Sequence, residues 1–280
     1  MIKGIIEDYN QKAQTFGVFS AGVKSYFYLR KYLVTIFGNT LKNGYLLEFE
    51  IAPTTKIIDK KTYHQVENIT KIVMPPKKVL FDVNKLLGDM LVFLKGINNF
   101  LVIDFECTMA GFKQKKFIAE IIQVGYLLTD SNGVTLKQDN MYILPKSKIV
   151  GNERIFKFIS TTKDEYYGNA RDYEKFYNDL KEIMETYHPK IITWGRNDKI
   201  NINYSYKINN VEPVTNDFDF INLLQLHKNA YGLKDDIGLY KAYCMYYENE
   251  EVQDHNAFND AYKTKEVLFS FIKRLEDNKR

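Results

Sequence analysis

The chain has 280 residues, 45% apolar and 15% aromatic, which is enough for two domains with packed cores and excludes wholesale disorder. Its two cysteines, Cys107 and Cys244, lie far apart and in no C-x-x-C spacing, which excludes a disulfide framework and a zinc site and fits a reducing cytoplasm. The amino terminus MIKGIIEDYNQ has no signal-peptide core and no stretch approaches a charge-free membrane span, so a soluble chain without a membrane partner is expected.

The formal net charge of +4 belongs to the front: residues 1–75 hold ten Lys and Arg against six Asp and Glu, and the remaining 29 of each balance. That segment is mildly attractive to phosphate. It runs in short β-rich stretches, KGIIEDYN, TFGVFS, KSYFYLRKYLVTIF, YLLEFEIA and VENITKIV, divided by turn-prone GN, KNG and AP, which predict a five-stranded barrel over 1–75. Pro75 and Pro76 break the pattern. Apolar positions at Leu86, Leu87, Met90, Leu91 and Leu94 then predict a helix from Val83 to Leu94 within a linker at 76–98. Over 99–280, NNFLVIDFECT, EIIQVGYLLTD, TLKQDNMYILP and HPKIITWG read as strands, with a helix near Asp172 to Thr186. Interleaved strands and helices predict an α/β layer, partly antiparallel because of the return through Asn132-Gly133.

Strand alternation sends Val102, Asp104 and Glu106 to one face and Ile103 and Phe105 to the other. Two carboxylates crowded at the exit of an apolar strand are costly unless a cation neutralises them, so this D-x-E is a candidate Mg²⁺ or Mn²⁺ platform. Standing alone, such a pair more often simply faces water. Asp198 lies just beyond the strand IITWG. The segment from Asp254 is an amphipathic helix with apolar Ala257, Ala261, Val267, Leu268, Phe271 and Leu275, with His255 at its entrance and Asp260 in its first turns. Four acids and one histidine brought together make a two-metal hydrolytic site.

These residues resemble the DnaQ-like DEDDh exonucleases, and among them the Eri and KapD type. Asp104-Phe105-Glu106-Cys107-Thr108 matches the first motif, Trp194-Gly195-Arg196-Asn197-Asp198 the second, and His255-Asn256-Ala257-Phe258-Asn259-Asp260-Ala261 the third. Ala119-Glu120-Ile121-Ile122-Gln123-Val124-Gly125 looks like the strand after the first, and coverage runs from about Phe100 to Leu275. The resemblance implies an RNase H-like (DnaQ-like) mixed sheet flanked by helices. It implies hydrolysis from the 3′ end to nucleoside 5′-monophosphates with two Mg²⁺ or Mn²⁺ ions held by Asp104, Glu106, Asp198 and Asp260. His255 would act as general base, and Thr108 would lie against the nucleic acid.

Residues 3 to about 74 resemble a cold-shock or OB-type domain. Lys3-Gly4-Ile5-Ile6-Glu7-Asp8-Tyr9-Asn10 opens it, Phe16-Gly17-Val18-Phe19 falls at its first ribonucleoprotein motif and Tyr26-Phe27-Tyr28-Leu29 at its second. It departs from the family at Asp8, where a stacking Trp is common, and at Val18, where a second Phe is common. The resemblance implies single-stranded nucleic-acid binding, with Phe16, Tyr26, Tyr28 and Arg30 as candidate contacts. Alternation puts Tyr26, Tyr28 and Arg30 on one face with Phe27 and Leu29 inside. The other reading is that these aromatics only close the barrel or dock on the other domain.

His64, His188 and His227 are expected at the surface or a boundary, Trp194 as a core anchor, and Asp217 and Asp219 flanking a helix. Three functions stay open: an exonuclease on single-stranded RNA, which both resemblances favour; the same chemistry on DNA; and a non-catalytic nucleic-acid-binding adaptor, against which all five expected site residues are present.

Overall fold

A computed structural model describes residues 1–20, 23–109, 117–147, 153–247 and 255–277. The chain divides into two compact units, Met1–Asp89 with Gly232–Lys234, and Met90–Tyr231 with Asp235–Arg280. Among the described residues no helix is long and apolar enough to cross a membrane.

In the first unit, strands β1 (Ile2–Asn10), β2 (Thr15–Ser20) and β3 (Val23–Tyr28) form an antiparallel meander, followed by helix α1 (Lys31–Phe37) and a long hairpin of β4 (Leu46–Ile58) and β5 (Lys61–Met74). β1 also pairs with β4, and β3 runs parallel to β5 through Tyr26–Tyr63, Phe27–His64 and Tyr28–Gln65. The order β1-β2-β3-β5-β4 therefore returns to β1 and closes a five-stranded barrel. A sixth strand, β6 (Lys78–Asp82), pairs with β5 outside that ring. Inside lie Ile6, Phe16, Val18, Phe27, Leu29, Leu47, Phe49 and Val66, with Phe27 and Phe49 edge to face at 4.8 Å.

Two expectations change here. The stretch KSYFYLRKYLVTIF is a strand only to Tyr28. The chain must turn away from β3, and Leu33, Val34 and Phe37 fall on one helical face that packs into the barrel core. Phe16 is not available to a base: it is 1% exposed and sits against Phe27 and Phe49 in the core, whereas Phe19, on the opposite face of β2, is 48% exposed.

The division between units falls inside helix α2 (Val83–Lys95), which buries Met90, Leu91 and Leu94. The second unit is built on β7 (Asn99–Cys107), β8 (Ile121–Asp130) and β9 (Thr135–Tyr142), then helices α3 (Glu153–Phe158), α4 (Lys163–Asn169) and α5 (Tyr173–Tyr187), β10 (Lys190–Thr193), α6 (Asn197–Asn209), β11 (Phe220–Asn222), α7 (Leu223–Tyr231), α8 (Leu239–Tyr243) and α9 (Ala257–Asp277). The sheet order is β11-β10-β7-β8-β9, parallel on the β10 and β11 side and antiparallel through β8 and β9. The central strand β7 is covered on both faces. Leu101, Ile103 and Phe105 join Phe176, Leu180 and Ile183 of α5 and Ile202 and Tyr206 of α6 in one core. On the other face, Phe100 meets Phe269 of α9 edge to face at 5.8 Å. α9 presents Ala257, Ala261, Thr264, Val267, Leu268, Phe271 and Leu275 as its buried stripe, at the spacing of one helical face.

Candidate active site

The alternation of β7 that buries Ile103 and Phe105 on one side turns Asp104 and Glu106 to the other, the side of α9. Asp198 arrives from the strand–turn–helix step between β10 and α6. Gly195 makes the turn at a left-handed φ of 107°, its carbonyl accepting from the Thr193 hydroxyl at 2.8 Å, and Asp198 falls in the first turn of α6. It is buried, and its carboxylate accepts the backbone N–H of Phe105 at 3.3 Å, which fixes it against the carboxyl-terminal part of β7, between Asp104 and Glu106 in sequence. Asp260 comes from the first turn of α9 and is also buried. His255 stands just before that helix, half-buried and with φ 49°.

Ligand atoms of Glu106, His255 and Asp260 lie within 4.8 Å of one another. Asp104 and Asp198 belong to the same electrostatic cluster. Burial raises the Asp104 carboxyl well above its ordinary range, and the charges of Asp198, Asp260 and Glu106 push it the same way. Burial likewise lifts Asp198 to about 7, against the N–H bonds from Phe105 and its own backbone, with Asp260 adding to the rise. Burial and mutual repulsion thus both oppose ionisation of these carboxyls unless positive charge is brought to them.

The start of α9 is set by the sheet beneath it. Gly125 of β8 pairs with Asp104 across the ladder, and a β-carbon there would lie 2.3 Å from the Ala257 carbonyl carbon. Two positions away, the fully buried Gln123 donates to Asn140 at 3.0 Å and accepts from the Ala257 N–H at 3.4 Å. The Asn256 side chain caps the helix, accepting from Phe258 and Asn259. Neither Gln123 nor Gly125 is a titratable group that would draw attention. The signal in the sequence is a lone glycine among bulky residues in a strand, which marks close approach of another backbone.

The other expected residues divide. Thr108 is 5% exposed, and its hydroxyl oxygen accepts the Glu120 N–H at 2.9 Å, so its side chain fastens the strand exit. Tyr26 and Tyr28 do face outward from the barrel of the first unit, beside Tyr63, whose ring lies 5.4 Å from that of Tyr26. Lys56 sits over the Tyr28 ring at 4.0 Å and Lys61 over Tyr26 at 4.5 Å. Arg30 lies beyond the end of β3 and pairs with Glu67 at 3.3 Å.

His227 is a correction: it is wholly buried among Trp194, Tyr231, Tyr246 and Phe271, and among the described residues neither ring nitrogen has a hydrogen-bond partner. Asp219 takes part in a capping box with Asn216 ahead of β11, in line with a structural role. Asp254 lies outside the described residues.

No family model matches the chain, and no curated protein matches its sequence. Among solved structures, 65% of the chain resembles the nuclease domain of 3′hExo, a DEDDh family member, bound to rAMP, at 15% identity over 93% of that chain with a TM-score of 0.54. It resembles a 3′-exonuclease structure described as showing 3′-end-specific recognition of histone mRNA stem-loop, at 14% identity over 64% of that chain with a TM-score of 0.53. It also resembles E. coli exonuclease I in a zinc-bound complex with single-stranded DNA, at 17% identity over 42% of that chain with a TM-score of 0.50. The chain spans less than two thirds of the latter two. At these identities the likeness is one of fold, and the mixed α/β fold of this chain is the one carried by DEDDh-family 3′-exonucleases.

Proposed function

We propose that this chain is a metal-dependent 3′-to-5′ exonuclease that shortens single-stranded nucleic acid, RNA ahead of DNA, to nucleoside 5′-monophosphates. One observation carries the reading: Asp104 and Glu106 from β7, Asp198 from α6 and Asp260 from α9 converge with His255 in a cluster whose burial opposes its own ionisation. A set of carboxylate oxygens with one imidazole suits hard divalent cations such as Mg²⁺ or Mn²⁺. Held by Asp104, Glu106, Asp198 and Asp260, two such ions would neutralise charge at the phosphate and at the departing oxygen. His255 accepts a proton from the attacking water. The water oxygen bonds to phosphorus, the bond from phosphorus to the 3′ oxygen breaks, and that oxygen takes up a proton.

The first unit is the substrate-capturing module in this reading. Its closed five-stranded ring supports the likeness to an OB-type barrel, a fold whose second and third strands bind oligonucleotides. Tyr26, Tyr28 and Tyr63 supply ring faces and Lys56 and Lys61 supply charge for phosphates. RNA is favoured because the barrel resembles cold-shock domains and two of the similar structures are described with rAMP or histone mRNA. The exonuclease I complex with single-stranded DNA supports DNA as the second reading.

The test is degradation of matched 5′-labelled single-stranded RNA and DNA with Mn²⁺, Mg²⁺ or EDTA. Stepwise shortening that needs metal and disappears in Asp104→Ala is expected, faster on RNA. A faster rate on DNA selects the second reading, and binding without shortening of either strand sinks the exonuclease.

A further inference from the structure

We propose that Phe158 is a positioning residue for His255, an inference that rests on the exonuclease reading above. The two rings are stacked, with centroids 4.1 Å apart and planes 21° from parallel. This contact supplies what the histidine's own backbone does not. The torsion that sets an imidazole plane has broad wells, so placing the His255 α-carbon leaves the direction of its ring nitrogens open. A flat ring packed on one face closes that freedom. The edge of the imidazole is then directed inward, where a ring nitrogen lies within 4.8 Å of carboxylate oxygens of both Glu106 and Asp260.

Phe158 is itself anchored. It ends α3 and packs on a cluster of Ile122, Ile155, Phe156, Ile159 and Tyr166, and the Tyr166 hydroxyl in that cluster donates to the Ile143 carbonyl just after β9. The Thr162 side chain caps the following helix α4. The plane of the imidazole is therefore referred to the same sheet that carries Asp104 and Glu106. In this proposal Phe158 acts on the reaction through the His255 ring on which it stacks.

A double-mutant cycle on 5′-labelled single-stranded RNA with Mn²⁺, read as kcat and KM, tests this. Phe158→Ala is expected to lower kcat about 10- to 100-fold with KM within about two-fold. Phe158→Tyr should restore most of the loss, and Phe158→Ala should cost nothing further in a His255→Ala background. A second measurement needs neither metal nor turnover. The ring-proton NMR signals of His255, assigned by their loss in His255→Ala, should lie upfield under the Phe158 ring current and move downfield in Phe158→Leu, which keeps an apolar side chain on the α3 cluster. An equal kcat loss in the His255→Ala background, a rise in KM alone, or His255 signals that do not move in Phe158→Leu overturns the proposal. Failure of the exonuclease reading is seen separately, as a wild type that leaves every strand intact with metal, and the positioning role falls with it even where the NMR signals report the stack.

Discussion

Gly125 lies directly beneath Phe258: a β-carbon on residue 125 would come 2.1 Å from the Phe258 backbone nitrogen. The atoms it would meet belong to the backbone of the first turn of α9, which cannot swing aside as a side chain can. Gly125→Ala must lift that turn, and His255 and Asp260 move with it. The expected cost is about 1–3 kcal/mol of stability and on the order of a 100-fold loss of nuclease activity, measured by urea denaturation and by turnover of labelled RNA. Normal turnover in this variant would mean that α9 is not held where it is described.

The acid cluster makes stability depend on pH and on metal in a defined sense. The Asp198 pKa is lifted from 3.8 to about 7 in the folded chain, so the native state binds more protons than the unfolded one between those values. Without divalent cation, the stability that Asp198 contributes is fully present below about pH 4 and is lost as pH rises through 7. Thermal melts in EDTA should show the wild type falling away from Asp198→Asn over that window, and Mn²⁺ at pH 7.5 should raise the wild-type Tm more than the variant's. Parallel curves for the two proteins would contradict this.

His227 carries the opposite dependence. Burial, with a smaller push from Arg274, lowers its pKa from 6.5 to about 4, so the folded chain binds fewer protons than the unfolded chain across that interval. Its contribution is intact above pH 6.5 and is lost as pH falls toward 4, in total about 3 kcal/mol. His227→Phe keeps an aromatic ring and removes both ring nitrogens. Its denaturation midpoint should be flatter with pH between 4 and 6.5 than that of the wild type, and an unchanged slope would count against the buried neutral histidine.

In the barrel, Tyr26→Ala and Phe16→Ala should separate binding from folding. The first removes an outward ring and should weaken single-stranded RNA binding by roughly 1–3 kcal/mol with little change in stability. The second opens the core between Phe27 and Phe49 and should cost about 3–5 kcal/mol of stability. Fluorescence anisotropy and denaturation curves on both variants decide the matter. Equal binding by Tyr26→Ala and wild type would remove the stacking face.

The legible parts of this molecule are those in which a period fixes a face. One residue, Phe105, separates Asp104 from Glu106, so a buried strand had to turn both the same way, and the apolar stripe of α9 fixed which side Asp260 would take. Tyr26 and Tyr28 could be turned outward because Phe27 and Leu29 between and after them are apolar. TFGVFS offered no such contrast. Phe16, Val18 and Phe19 are all apolar, and only barrel closure chooses which of them face inward. KYLVTIF has strand-like composition, and its helix is decided by tertiary packing of Leu33, Val34 and Phe37. His227 and the Phe158–His255 stack depend on contacts between distant segments that no local pattern encodes.

The ring of the first unit is sealed between β3 and β5 by only three residue pairs, and α1 and the whole of β4 intervene along the chain. Neighbouring strands that follow one another can zip from a turn, but this seam, like the β1–β4 pairing, joins strands far apart along the chain and carries a loop-closure cost that the hairpins do not. It should assemble late and open early, making the amides of Tyr26 to Tyr28 less protected from solvent exchange than those of the β4–β5 hairpin. Tyr26 and Tyr63 face each other across that same seam. A strand of bases lying over both would act as a clasp, so that filling the face and keeping the barrel shut become one equilibrium.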